Sequence, residues 1–209
     1  MKIESLSGKP DRAGRFLIKF EDGTSMRLYR QTVEDHALYS GRELSAEEMR
    51  ALRAAAGAMS AKMRAVRIVS ASNISREDLQ HRLVRKGEDP QQAEAAVRWM
   101  EDLQLVDDRR TAEELVHRCA AKGYGISRAK QALYEKRIPR EYWEEALSDY
   151  PDQCDHILAF LQARLGNDPD EKEVKRAVDA LIRRGHGYNE IRSCLRQIMD
   201  GADDFREDQ

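Results

Sequence analysis

Apolar and polar residues alternate along the first thirty positions, then recur every three to four residues, so the chain passes from a strand pattern to a helix pattern. Lys2–Leu6, Gly14–Phe20 and Ser25–Tyr29 are short alternating or apolar segments. The turn chemistry of Pro10-Asp11 and Glu21-Asp22-Gly23-Thr24 separates them, and its Asp-Gly is a strong hairpin signal. The period changes near Gln31, and Thr32–Tyr39 reads as a short helix ended by Ser40-Gly41. Ser45-Ala46-Glu47-Glu48 has the form of a capping box, opening a helix through Leu52 to about Ala56. Residues 1–58 are therefore expected to form a small β-rich module, a β-hairpin plus helix.

A repeat follows. Leu83-Val84-Arg85-Lys86-Gly87, Leu133-Tyr134-Glu135-Lys136-Arg137 and Leu181-Ile182-Arg183-Arg184-Gly185 share one frame at spacings of 50 and 48 residues. Six residues beyond the fifth position stand Ala93, Trp143 and Ile191, and three further on stand Ala96-Val97, Ala146-Leu147 and Cys194-Leu195. A period near 50 marks a helical repeat array. The first unit should hold helices over Ala61–Ala71, Ser75–Lys86 and Pro90–Leu103, with Gly87 as the left-handed terminator and Asp89-Pro90 opening the third. The second should hold Arg109–Ala121, opened by a capping box at Thr111-Ala112-Glu113-Glu114, then Ser127–Lys136 and Pro139–Leu147. The third should hold Asp152–Leu165, Asp170–Arg184 and Tyr188–Met199. One unit has few apolar positions, so neighbours are expected to share a core. The fold class is thus mainly α: three tandem three-helix repeats over 59–107, 108–150 and 151–200, after the 1–58 module and before an acidic tail at 201–209.

Composition narrows the picture. The chain of 209 residues is 41% hydrophobic, 6% aromatic and 35% charged, as soluble helices are. It has no apolar run long enough for a membrane span, and Met1–Ser5 lacks the apolar stretch of a secretory signal. Cys119, Cys154 and Cys194 are odd in number and far apart, fitting reduced thiols in the cytoplasm. The net charge of −2 conceals a gradient. Residues 60–143 hold 17 basic and 13 acidic side chains, residues 144–209 hold 9 and 16, and Arg109–Arg140 alone holds nine basic against three acidic. Such a local surplus attracts phosphate or an acidic partner, although a solvated helix face carries charge runs too.

Catalytic chemistry is absent from the pattern. The five histidines have no metal-ligand spacing, no Gly-rich phosphate loop occurs, and no serine sits in a nucleophile elbow, so neither enzyme, metal nor cofactor is expected. Gly123-Tyr124-Gly125 and Gly185-His186-Gly187 read as helix stops. The informative constellation is in the second unit. Arg118 and Lys122 flank the Ala112/Leu115/Val116/Cys119 stripe, and Lys130, Tyr134 and Arg137 fall at i, i+4 and i+7 as a basic–aromatic–basic ridge. That ridge fits a phosphate backbone or an acidic groove, and equally a solvated face with one exposed Tyr. Trp99 and Trp143 fall at apolar positions of third helices and read as core. Lys122–Arg128 also has the form of a helix, a Gly turn and a basic helix, so helix-turn-helix DNA binding through Arg128, Lys130 and Gln131 is the alternative.

Ser75-Arg76-Glu77-Asp78-Leu79, Arg82-Leu83-Val84-Arg85-Lys86-Gly87, the run Leu103–Glu113 and Lys122-Gly123-Tyr124-Gly125 together resemble the RecX regulatory proteins of bacteria. The resemblance covers residues 60–200 and is sharpest over 75–140. It implies an elongated, curved array that binds the RecA filament on single-stranded DNA, in its groove. It further implies that RecA recombinase, ATPase and coprotease activities are inhibited, which touches homologous recombination, DNA repair and the SOS response. A monomer with weak direct DNA contact is expected. By position, Arg82, Arg85, Lys86, Arg109, Arg110, Arg118, Lys122, Arg128 and Lys130 become candidates for the filament-facing surface, beside Tyr134 and Arg137 of the ridge. Asp107-Asp108 reads as a helix cap instead. Two residues depart from the family pattern: Thr111 stands where an aromatic is usual, and Arg137 where Gly is usual, so the helix before Arg137 is expected to end differently.

Overall fold

The computed structural model of the chain describes residues 1–166 and 169–204, with side chains to residue 199. It divides into two compact units, Met1–Val106 and Asp107–Gln209. The first opens with an antiparallel sheet of β1 (Ile3–Leu6), β2 (Arg15–Phe20) and β3 (Ser25–Tyr29) in that order. α1 (Arg30–Asp35) follows, shorter than expected because Ala37 adopts a left-handed φ of 44° and closes the turn. Ile3, Ile18, Phe20 and Leu28 of the sheet pack with Leu38, Leu44, Met49 and Leu52.

The largest departure from the sequence pattern is α2 (Ala46–Val69), one helix of 24 residues where two were expected, so the boundary at 58 falls inside it. Its start was legible: Ser45 Oγ accepts from Glu48 N–H at 3.1 Å, and Glu48 accepts from Ser45 N–H at 2.8 Å. The Ala-rich middle has the strongest helix formers and outweighs Gly57, which costs about 1 kcal/mol in a helix. A Cβ on Gly57 would lie 2.2 Å from the carboxamide of Gln92 on the neighbouring helix, an overlap that this flexible side chain can relieve by turning away. α2 thus serves the sheet core with Met49 and Leu52, and with Ala61 and Ala65 the core of the first repeat. That core is completed by α3 (Arg76–Arg85) and α4 (Pro90–Asp102), through Leu79, Leu83, Ala93, Val97 and Met100.

In the second unit, α5 (Asp108–Ala121), α6 (Ile126–Glu135), a 3₁₀ turn (Arg140–Tyr142) and α7 (Trp143–Leu147) form the second repeat, and α8 (Cys154–Gln162), α9 (Glu171–Arg183) and α10 (Tyr188–Asp204) the third. The capping box expected at Thr111 is not there. Asp107 caps α5, accepting from Arg110 N–H at 3.0 Å, while Thr111 lies inside the helix, its hydroxyl donating to Asp107 O at 2.7 Å. α10 takes in residues 201–204, expected as tail, and 205–209 lie outside the described residues.

The repeat frame is a packing frame. Leu83, Leu133 and Leu181 are each fully buried. Gly87, Arg137 and Gly185 each follow the helix end with φ of 90°, 54° and 90°. At all three the same pair of bonds closes the helix, from N–H to the carbonyl three back and from the next N–H to the carbonyl five back. Arg137 therefore ends its helix as glycine does, contrary to expectation. Ile138 is buried and Trp143 Nε1 donates to its carbonyl at 3.0 Å, so the packing after the turn holds Arg137 in a conformation that costs a non-glycine residue about 1 kcal/mol. Within the second unit, where a core shared between neighbours is expected, the described residues form two clusters: the second repeat encloses Ala112, Leu115, Val116, Leu133 and Ile138, and the third Ile157, Leu161, Ala177, Leu181 and Ile191.

Candidate functional site

The second and third repeats join through their glycine turns. Gly125 N–H donates to Arg184 O at 3.0 Å, Ser127 N–H donates to Gly185 O at 3.2 Å, and His186 Nε2 lies 3.1 Å from Gly123 O. A Cβ on Gly125 would stand 2.1 Å from Gly185 O, and one on Gly185 would stand 2.3 Å from Arg128 N. Only glycine lets two backbones approach this closely. Tyr150 secures the turn from the other side, its hydroxyl donating to Tyr124 O at 2.6 Å, and burial pushes that phenol up to about 12. His186 is buried, with Nε2 donating to the carbonyl, and burial lowers its pKa. In the sequence these turns carry only the signature of helix stops, since nothing local pairs residue 125 with residue 185.

This junction fixes the N-terminal end of α6. Arg128 is half-buried against Gly185, and its guanidinium holds Glu135 at 3.1 Å. Burial pushes the Cys119 thiol up, while the charges of Arg128, Lys122 and Arg118 act to lower it and that of Glu135 to raise it. Lys130 and Tyr134 are exposed one turn apart on α6, Tyr134 by 69%. Arg137 is exposed as well, but α6 ends at Glu135, so the i+7 helical spacing assumed for it does not apply. Arg118 shares a shallow depression on α5 with Glu113, Glu114 and His117, which tempers its charge.

The remaining candidates are more committed. Arg109 binds Glu113 at 3.3 Å and also Glu145, tying α5 to α7, while the exposed Arg110 gives its backbone N–H to Asp107. In the first unit, Arg82 pairs with Asp78 at 2.9 Å, and the Lys86 carbonyl accepts from Arg64 at 2.9 Å. Arg85 and the Lys86 side chain are exposed at the end of α3. Against this basic surface, a cleft of about 790 Å³ is lined by Glu145, Asp149, Asp152 and Asp155 with His117 and His156. Among the described residues no group of three or more His, Cys, Asp or Glu could hold a metal ion. No helix among them is long and apolar enough to cross a membrane.

The chain is thus a helical repeat protein with Lys122, Lys130 and Tyr134 exposed on its second repeat. The comparisons identify the family. Residues 107–147 match the model for the RecX second three-helix domain. The chain is 30% identical over 152 residues to the regulatory protein RecX of Ralstonia pickettii, covering 72% of this chain and 92% of that protein. It is 27% identical over 140 residues to the regulatory protein RecX of Vibrio parahaemolyticus, covering 66% of this chain and 90% of the relative. A crystal structure of a regulatory protein RecX shares the fold with a TM-score of 0.66 at 17% identity, covering 96% of this chain and 98% of that one. RecX from Lactobacillus salivarius does so with a TM-score of 0.60 at 20% identity, covering 69% and 97%. The chain belongs to the RecX family of regulatory proteins.

Proposed function

We propose that this protein binds the RecA filament on single-stranded DNA in its groove and restrains RecA recombinase, ATPase and coprotease activity, acting as a cytoplasmic monomer without turnover of its own. The observation that carries the reading is the exposure of Lys122 at the end of α5 and of Lys130 and Tyr134 one turn apart on α6, inside the segment that matches the RecX second domain. Exposed cations meet phosphates or acidic side chains, and an exposed Tyr supplies rigid contact area at low entropic cost.

The helix-turn-helix alternative is disfavoured by the same geometry. A recognition helix enters a groove by its N-terminal residues, yet at the start of α6 Ser127 N–H is taken by Gly185 O and Arg128 is packed beneath the turn of the third repeat. The test is the ATPase rate of RecA on single-stranded DNA, titrated with this protein. Inhibition at or below equimolar protein is expected, and Arg118→Glu with Lys122→Glu should weaken it on the order of tenfold, as loss of two charge contacts does, with helical content unchanged. A flat titration with the unaltered protein would refute the reading.

A further inference from the structure

We propose that the outer face of the N-terminal sheet is a separate contact for single-stranded DNA, laid across β2 and β3. The inward face is settled by burial: Ile18, Phe20 and Leu28 lie in the core and Met26 packs against it. Strand alternation then sends Arg15, Leu17 and Lys19 of β2, and Arg27 and Tyr29 of β3, to the opposite face. The register sets Arg15 opposite Tyr29 and Leu17 opposite Arg27, so Arg27 is diagonal to both Arg15 and Lys19, roughly 7–8 Å from each. Arg67 of α2 donates to the Tyr29 hydroxyl at 2.5 Å, which fixes the ring and adds a fourth cation at the edge.

Charge decides the occupant. Asp11 takes up Arg15 at 2.9 Å, but among the described residues no carboxylate pairs with Lys19, Arg27 or Arg67. The cations flank the aliphatic Leu17 and the flat ring of Tyr29, both half-buried. A surface of cations interleaved with an aromatic ring suits a single strand, whose phosphates meet the charges while a base stacks on the ring. This contact forms without RecA.

The experiment is fluorescence anisotropy of a labelled oligothymidylate with the full chain, across a series of salt concentrations and without RecA. Lys19→Glu with Arg27→Glu should weaken binding on the order of tenfold at low salt and lower the salt slope by about 1.4, the share of two phosphates on a single strand. Tyr29→Leu should weaken binding with the slope unchanged, and circular dichroism should show every variant folded. Absence of binding by the unaltered chain, or equal affinity and slope in the charge-reversed variant, overturns the proposal. RecA inhibition is read separately: its loss with oligonucleotide binding intact refutes the reading above and leaves this one standing, and the converse result refutes this one alone.

Discussion

Replacing Gly125 by Ala places a methyl group where the third repeat has its backbone. The new Cβ would lie 2.1 Å from Gly185 O and 2.4 Å from His186 N, so the turn must retreat by about 1.5 Å to reach ordinary contact. Three bonds span the junction: Gly125 to Arg184, Ser127 to Gly185 and His186 to Gly123. Each is worth about 1 kcal/mol net, and overpacking a rigid site costs about 1–3 kcal/mol. Gly125 has φ −75° and ψ 162°, which Ala adopts freely, so backbone strain adds nothing. The loss of unfolded-chain freedom returns about 0.4–1 kcal/mol. With one of these bonds lost and the overpacking unrelieved, the second unit should lose about 1–4 kcal/mol. Urea titration followed by Trp143 fluorescence, in a Trp99→Phe background, reads this unit. Gly166→Ala, where a Cβ meets nothing within 4 Å, is the control and should change stability by less than about 0.5 kcal/mol. Because Arg128 packs on Gly185, the Ala variant should also inhibit RecA less well. A Gly125→Ala protein within about 0.5 kcal/mol of the unaltered one would refute the junction as described.

Three further outcomes are expected. Arg137→Gly should stabilise the second unit by about 0.5–1 kcal/mol, since Gly adopts the left-handed turn without the steric penalty; a denaturant midpoint that does not rise counts against it. Burial lowers the pKa of His186 below its unfolded value, so stability is complete above about pH 6.5 and declines as pH falls through that value, where the unfolded chain takes up the proton first; His186→Gln should remove this part of the decline. Cys154 is only half-buried, whereas burial raises the Cys119 thiol and pushes Cys194 up to about 12, so brief maleimide treatment followed by peptide mass mapping should label Cys154 first.

Helix ends were the most legible part of this fold in the sequence. Ser45, Ser75, Asp89, Asp107 and Asp170 all cap helices with their side chains, because capping depends on a few neighbouring residues. The same local reasoning misplaced a cap at Thr111, where burial of the side chain and a bond to Asp107 O outweigh a matching motif. Local pattern also leaves a gap between Ala56 and Ala61, where strong helix formers on both sides carry α2 through without a break. For the candidate site, residue type and charge were legible, but the state of each side chain was not. Arg82, Arg109 and Arg128 are engaged by Asp78, Glu113 and Glu135, whereas Lys122 and Lys130 are exposed.

The sequence by itself determined the repeat, the helix boundaries set by local caps and the placement of basic charge on the second unit, because each depends on residues within one or two helical turns. Only the tertiary structure decided that α2 is continuous, that Arg137 takes a glycine's conformation and that the turns around Gly125 and Gly185 dock. The physical reason is that steric fit between backbones sixty residues apart leaves no periodic trace: a glycine needed for close approach is spelled like a glycine that ends a helix.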